Sequence, residues 1–210
     1  MIPIARKELL HVQIAILIAI GLQLAITTDL QPGLKYGVAL LELLLVFAIG
    51  FTVPRSQNNG LSAHRTLAFM LIGLISLANV LQLILVINGL FNSQHLQGKA
   101  LLVAALAIFI TNIIMFSLWY WELDSPGLSR NYDSRKELNF MFPQFEEKFS
   151  SSWRPSYFDY LYVSITNSTA FSPTDTLPIT HIAKFLMSIQ AIVSLLTIVL
   201  VTARAVNILG

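Results

Sequence analysis

Long apolar runs alternate with short polar ones along most of the chain. Five runs, over 10–27, 34–53, 66–90, 99–121 and 181–208, each approach or exceed the roughly 20 residues that a helix needs to cross a hydrocarbon layer. The pattern predicts an all-α integral membrane protein with five transmembrane helices. Asp29-Leu30-Gln31-Pro32-Gly33 marks a tight turn between the first two runs. "PRSQNNGLSAHR" (54–65) and "NSQHLQG" (92–98) read as polar loops. The first run lacks a small-residue cleavage site, so it reads as an uncleaved span rather than a signal peptide.

Residues 122–180 break the alternation. Trp119, Tyr120 and Trp121 suit a membrane interface. "SRKELNFMFPQFEEKF" (134–149) admits two readings. It is a short amphipathic helix on the headgroups with Phe140, Phe142, Phe145 and Phe149 turned inward, or Phe-rich packing inside a compact loop. Farther on, Pro155 precedes Ser156, and Asp159 follows three residues later, the spacing of a capping box. The helix that starts there reads "YFDYLYVSITNSTA" and cannot pass Pro173 in regular form. Its length, near 20 Å at about 1.5 Å per residue, is too short for a span and right for a re-entrant helix. Irregular backbone at membrane depth must be buried in protein or line water. Thr166, Asn167, Ser168, Thr169, Ser172 and Thr174 are the small polar residues able to satisfy it.

The last run carries Gln190, Ser194 and Thr197 at i, i+4, i+7, one face of a helix. That face either lines an aqueous path or bonds across to neighbouring spans. Glu42 is the one carboxylate well inside a span, and buried charge in a membrane marks a functional candidate. Its conceivable partners are Asn79, Gln82, Asn112 and Arg204. The bland reading is a protonated carboxyl bonded to a neighbouring helix. Asn79 and Asn112 read as interhelical glue, and Arg204 as a side chain snorkelling to the interface.

Composition narrows the class. Of the 210 residues 55% are hydrophobic and 11% charged, with a mean hydropathy of +0.70, too little polar surface to clothe a soluble globule. Net charge is +2 without a basic cluster, so no nucleic-acid partner is expected. Cysteine is absent, which excludes disulfides, thiol catalysis and iron–sulfur sites. Four scattered His lack metal-ligand spacing. Eight of the 11 Asp and Glu lie between Glu122 and Asp175. Asp124, Asp133, Glu137, Glu146 and Glu147 there read as a solvated face. Nothing in this set makes an active site, so neither enzyme nor cofactor is expected. Arg6, Lys7, Arg55 and Arg65 on the N-terminal side outnumber Lys35, Lys99 and Arg204 by one, which places the N-terminus and the long loop in the cytoplasm.

"SITNSTAFSPTDTLPIT" (164–180) resembles the potassium-channel pattern S-x-x-T-x-T-T-V-G-Y-G-D-x-x-P-x-T. Without gaps, Thr169 falls on the first paired threonine, Asp175 on the closing Asp, Pro178 on the Pro and Thr180 on the Thr before the inner helix. The resemblance covers roughly 155–208. The whole chain resembles a family of small bacterial multi-pass membrane proteins whose recurring piece, D-Y-L-Y-x-x-x-T-N-x-T-A-F-S-P-T-D, stands here from Asp159 to Asp175, with "ARAVNIL" (203–209) closing the last run. That family brings no established activity.

The resemblance implies a three-helix region over 1–98 and a channel-like module over 99–210. The module comprises an outer helix 99–121, a polar loop 122–155, a re-entrant helix and filter-like bend 156–177, and an inner helix 181–208. It implies a homo-oligomer, a tetramer, in the bacterial inner membrane. Its filter-like segment would be Thr169, Ala170, Phe171, Ser172, Pro173, Thr174 and Asp175, its inner stripe Gln190, Ser194 and Thr197, and monovalent cations would be its cargo. It also implies a cytoplasmic end for the inner helix, against the Lys and Arg count. Ser172, Pro173 and Thr174 stand where a potassium filter has Gly-Tyr-Gly. Pro holds φ near −65° and denies the left-handed torsions that aim carbonyls at the ion. The expectation is a cation channel with a non-standard filter; the alternative is a non-conducting scaffold or sensor with the same segment as a structural plug.

Overall fold

The computed structural model describes residues 6–26, 32–52, 60–92, 98–124, 138–145, 153, 155–169 and 175–209. The apolar runs are helical because a backbone away from water must bond to itself. They form α1 (Arg6–Ala25), α2 (Pro32–Thr52), α3 (Gly60–Asn92), α4 (Gly98–Asp124) and α6 (His181–Leu209), with a short α5 (Tyr157–Ser168) before the last. Pro32 opens α2, the place where a missing N–H costs least. Within the described residues, α3, α4 and α6 are long and apolar enough to cross a membrane, over Thr66–Asn88, Ala100–Asp124 and His181–Thr202. The apolar parts of α1 and α2 are shorter, Leu10–Ala25 and Tyr36–Ala48.

Helix α4 is the hub, packing against α1, α3, α5 and α6, while α2 lies against α3 and α1. A few contacts fix the direction of each element. Where α4 ends, His11 of α1 meets Phe158 edge to face at 6.0 Å, and Phe69 of α3 meets Trp119 at 5.6 Å. At the opposite end Ile26, Leu83, Val86, Leu101, Ala104 and Ile108 form one apolar cluster, with Val193 and Leu200 of α6 against it. So α1, α3 and α6 all run antiparallel to α4. The principal core crosses the boundary at 98: Val12, Ala39 and Leu71 share it with Phe116, Tyr160 and Met187.

The described part of the 134–149 segment, residues 138–145, fits its second reading. Among the described residues 138–145 there is no α-helix. Phe140–Met141 (β1) instead pairs antiparallel with Leu177–Pro178 (β2), and Pro143–Phe145 makes one 3-10 turn. Phe140 and Phe142 are buried. Phe142 meets Tyr160 edge to face at 5.3 Å and Trp153 at a tilt at 5.8 Å, and Phe145 meets Trp153 edge to face at 5.3 Å. Rings that reach one another across 20 residues bury more area than they would on a lone surface helix, which is why tertiary packing wins. Phe149 lies outside the described residues.

The outward faces of the described helices carry long apolar rows. Leu10, Ile14, Leu17 and Ile18 on α1, Leu40, Leu44 and Phe47 on α2, and Phe185, Ile192, Leu195 and Val199 on α6 are all exposed, a surface that water does not tolerate and lipid does.

Candidate functional site

Helix α5 begins as its sequence requires. The capping box is present at Ser156 and Asp159: Asp159 Oδ2 accepts from the Ser156 backbone N–H and from its hydroxyl, both at 2.7 Å. Tyr157, Tyr160, Val163, Ser164 and Ser168 form its buried face, while Phe158, Tyr162 and Ile165 look outward. Its 12 residues span about 18 Å. The Tyr157 hydroxyl lies 2.8 Å from Ser117 Oγ, close to the end of α4. Seven residues on, the Ser164 hydroxyl donates to the Ile113 carbonyl at 2.6 Å, halfway along α4. The chain then comes back: Thr180 Oγ1 donates to Asn139 Oδ1 at 2.6 Å, and Asn139 is bound to the last turn of α4. Helix α5 thus starts beside the end of α4 and stops midway along it, and Thr180, where α6 begins, is again beside the end of α4.

At the tip of α5, Gln190 is the centre of a polar network. Its Nε2 donates to the Ser164 carbonyl (3.0 Å), Ser164 Oγ (2.6 Å) and Ser168 Oγ (2.7 Å). Its Oε1 accepts from the Tyr120 hydroxyl and from Asn167 Nδ2 at 2.8 Å. Asn167 Nδ2 also reaches the Met187 carbonyl at 2.9 Å. Asn112 Nδ2 donates to Ser194 Oγ at 2.9 Å and toward the Gln190 carbonyl at 3.4 Å. Gln190, Ser194 and Thr197 do share a face, and all three are buried. That face meets α4 and α5 of the same chain, and Thr197 bonds its own helix at the Val193 carbonyl, 2.8 Å.

The filter-like segment is framed rather than displayed. Thr169 caps α5, with its hydroxyl on the Ile165 carbonyl at 3.0 Å and the Thr166 carbonyl at 3.3 Å. Asp175 is exposed. Ala170, Phe171, Ser172, Pro173 and Thr174 lie outside the described residues.

One expectation about an acidic residue needs correction. Asp124 does not belong to a solvated face. It is fully buried, and its carboxylate accepts from the Asn139 N–H (2.6 Å), the Phe140 N–H (3.1 Å) and the Tyr160 hydroxyl (3.3 Å). Such donors replace the water a carboxylate gives up on burial. With Ile179 N–H on the Asn139 carbonyl at 2.8 Å, this clasp ties together the end of α4, the 138–145 segment, α5 and the start of α6. Nothing local in the sequence marks it, since its members are 15 to 41 residues apart. Glu42, for its part, is fully buried, yet neither carboxyl oxygen has a hydrogen-bond partner among the described residues. Asn79, Gln82 and Asn112 therefore do not serve it; the Arg204 side chain lies outside the described residues.

Among the described residues no three His, Asp or Glu gather as metal ligands. Comparisons with protein-family models, with curated proteins and with solved structures return no match.

Proposed function

We propose that this chain is one subunit of an oligomeric, channel-like protein of the bacterial inner membrane, a tetramer by its resemblance to the pore module. In this reading α1, α2, α3, α4 and α6 cross the bilayer and α5 re-enters it. The 20 and 21 residues of α1 and α2 reach about 30 Å, the hydrocarbon thickness. The observation that supports the reading is that α5 stops midway along α4, tip against α6, while its start and Thr180 both lie beside the end of α4. The segment from Thr169 to Asp175 is then the constriction.

Gln190 bonds α5, Ser194 bonds Asn112 of α4 and Thr197 bonds its own helix, all within one subunit, so in this reading the conduit runs between subunits. Ser188, Ile192, Leu195, Val199 and Thr202 share an exposed face of α6 and would line it below the constriction. Monovalent cations or small polar solutes are the cargo, because hydroxyls and carbonyls without Gly-Tyr-Gly torsions make a wide polar passage. Flux of K⁺, Na⁺ or protons through purified protein in liposomes is the test. Absence of any permeability, under every gating condition tried, sinks the proposal.

One observation favours a second reading, a non-conducting scaffold or sensor with α5 as plug. The hydroxyls of Ser164 and Thr169 are committed to carbonyls of the same chain. A protein that runs as a monomer in detergent and carries no flux would fit that reading; a tetramer with a hydrated axis at 169–175 would exclude it.

A further inference from the structure

On the other side of α4 lies a second polar group of a different kind. Asn79 of α3 and Thr111 and Asn112 of α4 are completely buried, and Gln82 of α3 is 4% exposed. Asn79 Nδ2 and Oδ1, Gln82 Oε1, Thr111 Oγ1 and Asn112 Oδ1 all lack a hydrogen-bond partner among the described residues. Contacts on either side of them fix the register of α3 on α4. Trp119 Nε1 donates to Ser76 Oγ at 3.0 Å, and Leu83 and Val86 cluster with Ala104 and Ile108. Asn79 falls between these points on an antiparallel helix, so it lies opposite the turn that begins at Thr111. Gln82 is held beside it, because its Nε2 donates to the Gln23 carbonyl of α1 at 3.3 Å, and Gln23 Nε2 donates to the Ile75 carbonyl at 3.2 Å.

We infer that α1, α3 and α4 enclose a water-binding chamber within the single chain, centred on Asn79, Gln82 and Thr111 and separate from the conduit proposed above. Buried polar groups without partners are too costly to keep dry. The chemistry of this set selects the occupant. It carries no charge, and it combines acceptors (two or three amide oxygens and a hydroxyl) with the donor Asn79 Nδ2. A cation leaves that donor unsatisfied, and an anion leaves the amide oxygens so. Water donates and accepts, making about three bonds each, so about two molecules satisfy the whole set. Asn112 bonds Ser194 with its nitrogen and offers its free oxygen to the same water. The chamber thereby continues the Gln190 network into one polar layer across the middle of the bundle. Below it, the Leu83–Ile108 cluster closes the way.

The test is hydroxyl-radical labelling by X-ray radiolysis of the full chain in lipid nanodiscs, in water carrying heavy oxygen. Radicals form at bound water, so a buried side chain beside it takes up label. Met115, 3% exposed and one turn from Thr111, is the reporter; exposed Met141 sets the dose. Met115 should label in the native protein, and N79L/T111V should lower its labelling by about tenfold once the waters lose their partners. If that double variant fails to fold, Gln82→Met alone should lower it about threefold. An unlabelled Met115 in the native protein, or labelling unchanged by a folded variant, overturns the inference. So does protection of Met115 when choline in the buffer is replaced by K⁺ or Na⁺, which would make a cation the occupant.

Discussion

Two polar regions lie on either side of α4, and they are built on opposite terms. Toward α5 and α6, Gln190 alone serves Ser164, Ser168, Asn167 and Tyr120, and Asp124 gathers three donors. Toward α1, α2 and α3, Glu42 and Asn79 have no hydrogen-bond partner among the described residues, and Gln82 and Thr111 keep an oxygen unpartnered among them. Both regions draw on Asn, Gln, Ser, Thr and an acid, so composition does not separate them. Geometry does: on the first side an extra half-length helix brings hydroxyls to the amide of Gln190, while on the second only apolar helices pack. One region is held by its polar side chains. The other tolerates them.

The contrast can be broken by substitution. Gln190→Leu should have the largest effect, since it removes the amide that bonds Ser164, Ser168, Asn167 and Tyr120 at once and leaves Ser164 and Asn167 only the Ile113 and Met187 carbonyls. A loss of about 2–4 kcal/mol is expected, at roughly 1–3 kcal/mol for each unsatisfied group and reduced because membrane-embedded partners find substitutes. Reversible unfolding in mixed micelles measures it. Asp124→Ala follows, at about 2–3 kcal/mol, because the N–H groups of Asn139 and Phe140 and the Tyr160 hydroxyl lose their acceptor; the same unfolding curves report it. Glu42→Leu should go the other way. Removing a buried carboxyl without a partner among the described residues should stabilise the fold by about 1 kcal/mol, and a destabilisation as large as that of Gln190→Leu would erase the distinction between the two regions. Ser156→Ala is the smallest, about 1 kcal/mol or less, seen as a lower melting temperature, since Asp159 still accepts the Ser156 N–H.

Much of this was legible in the chain. The helices of the five apolar runs follow from length and hydropathy, and the start of α5 follows from Ser156 and Asp159. The common face of Gln190, Ser194 and Thr197 follows from helical spacing. What that face meets was not legible, because the spacing that lines a pore also packs a helix. Asp124 was invisible for a different reason. It sits in an acidic stretch of ordinary appearance, and its donors come from Asn139, Phe140 and Tyr160, each brought to it by a separate turn of the chain.

The sequence by itself determined a helical membrane-type protein, the order of its helices, and a short capped helix that Pro173 prevents from growing. Those are local matters, set by the burial of apolar runs and by backbone torsions. Only the tertiary structure decided that α5 ends midway along α4, that its polar tip is bound by α4 and α6 of its own chain, and that Asn79, Gln82 and Thr111 are buried with polar atoms unpartnered among the described residues. A hydrogen bond between helices depends on register and rotation, and neither is written in the residues that make it.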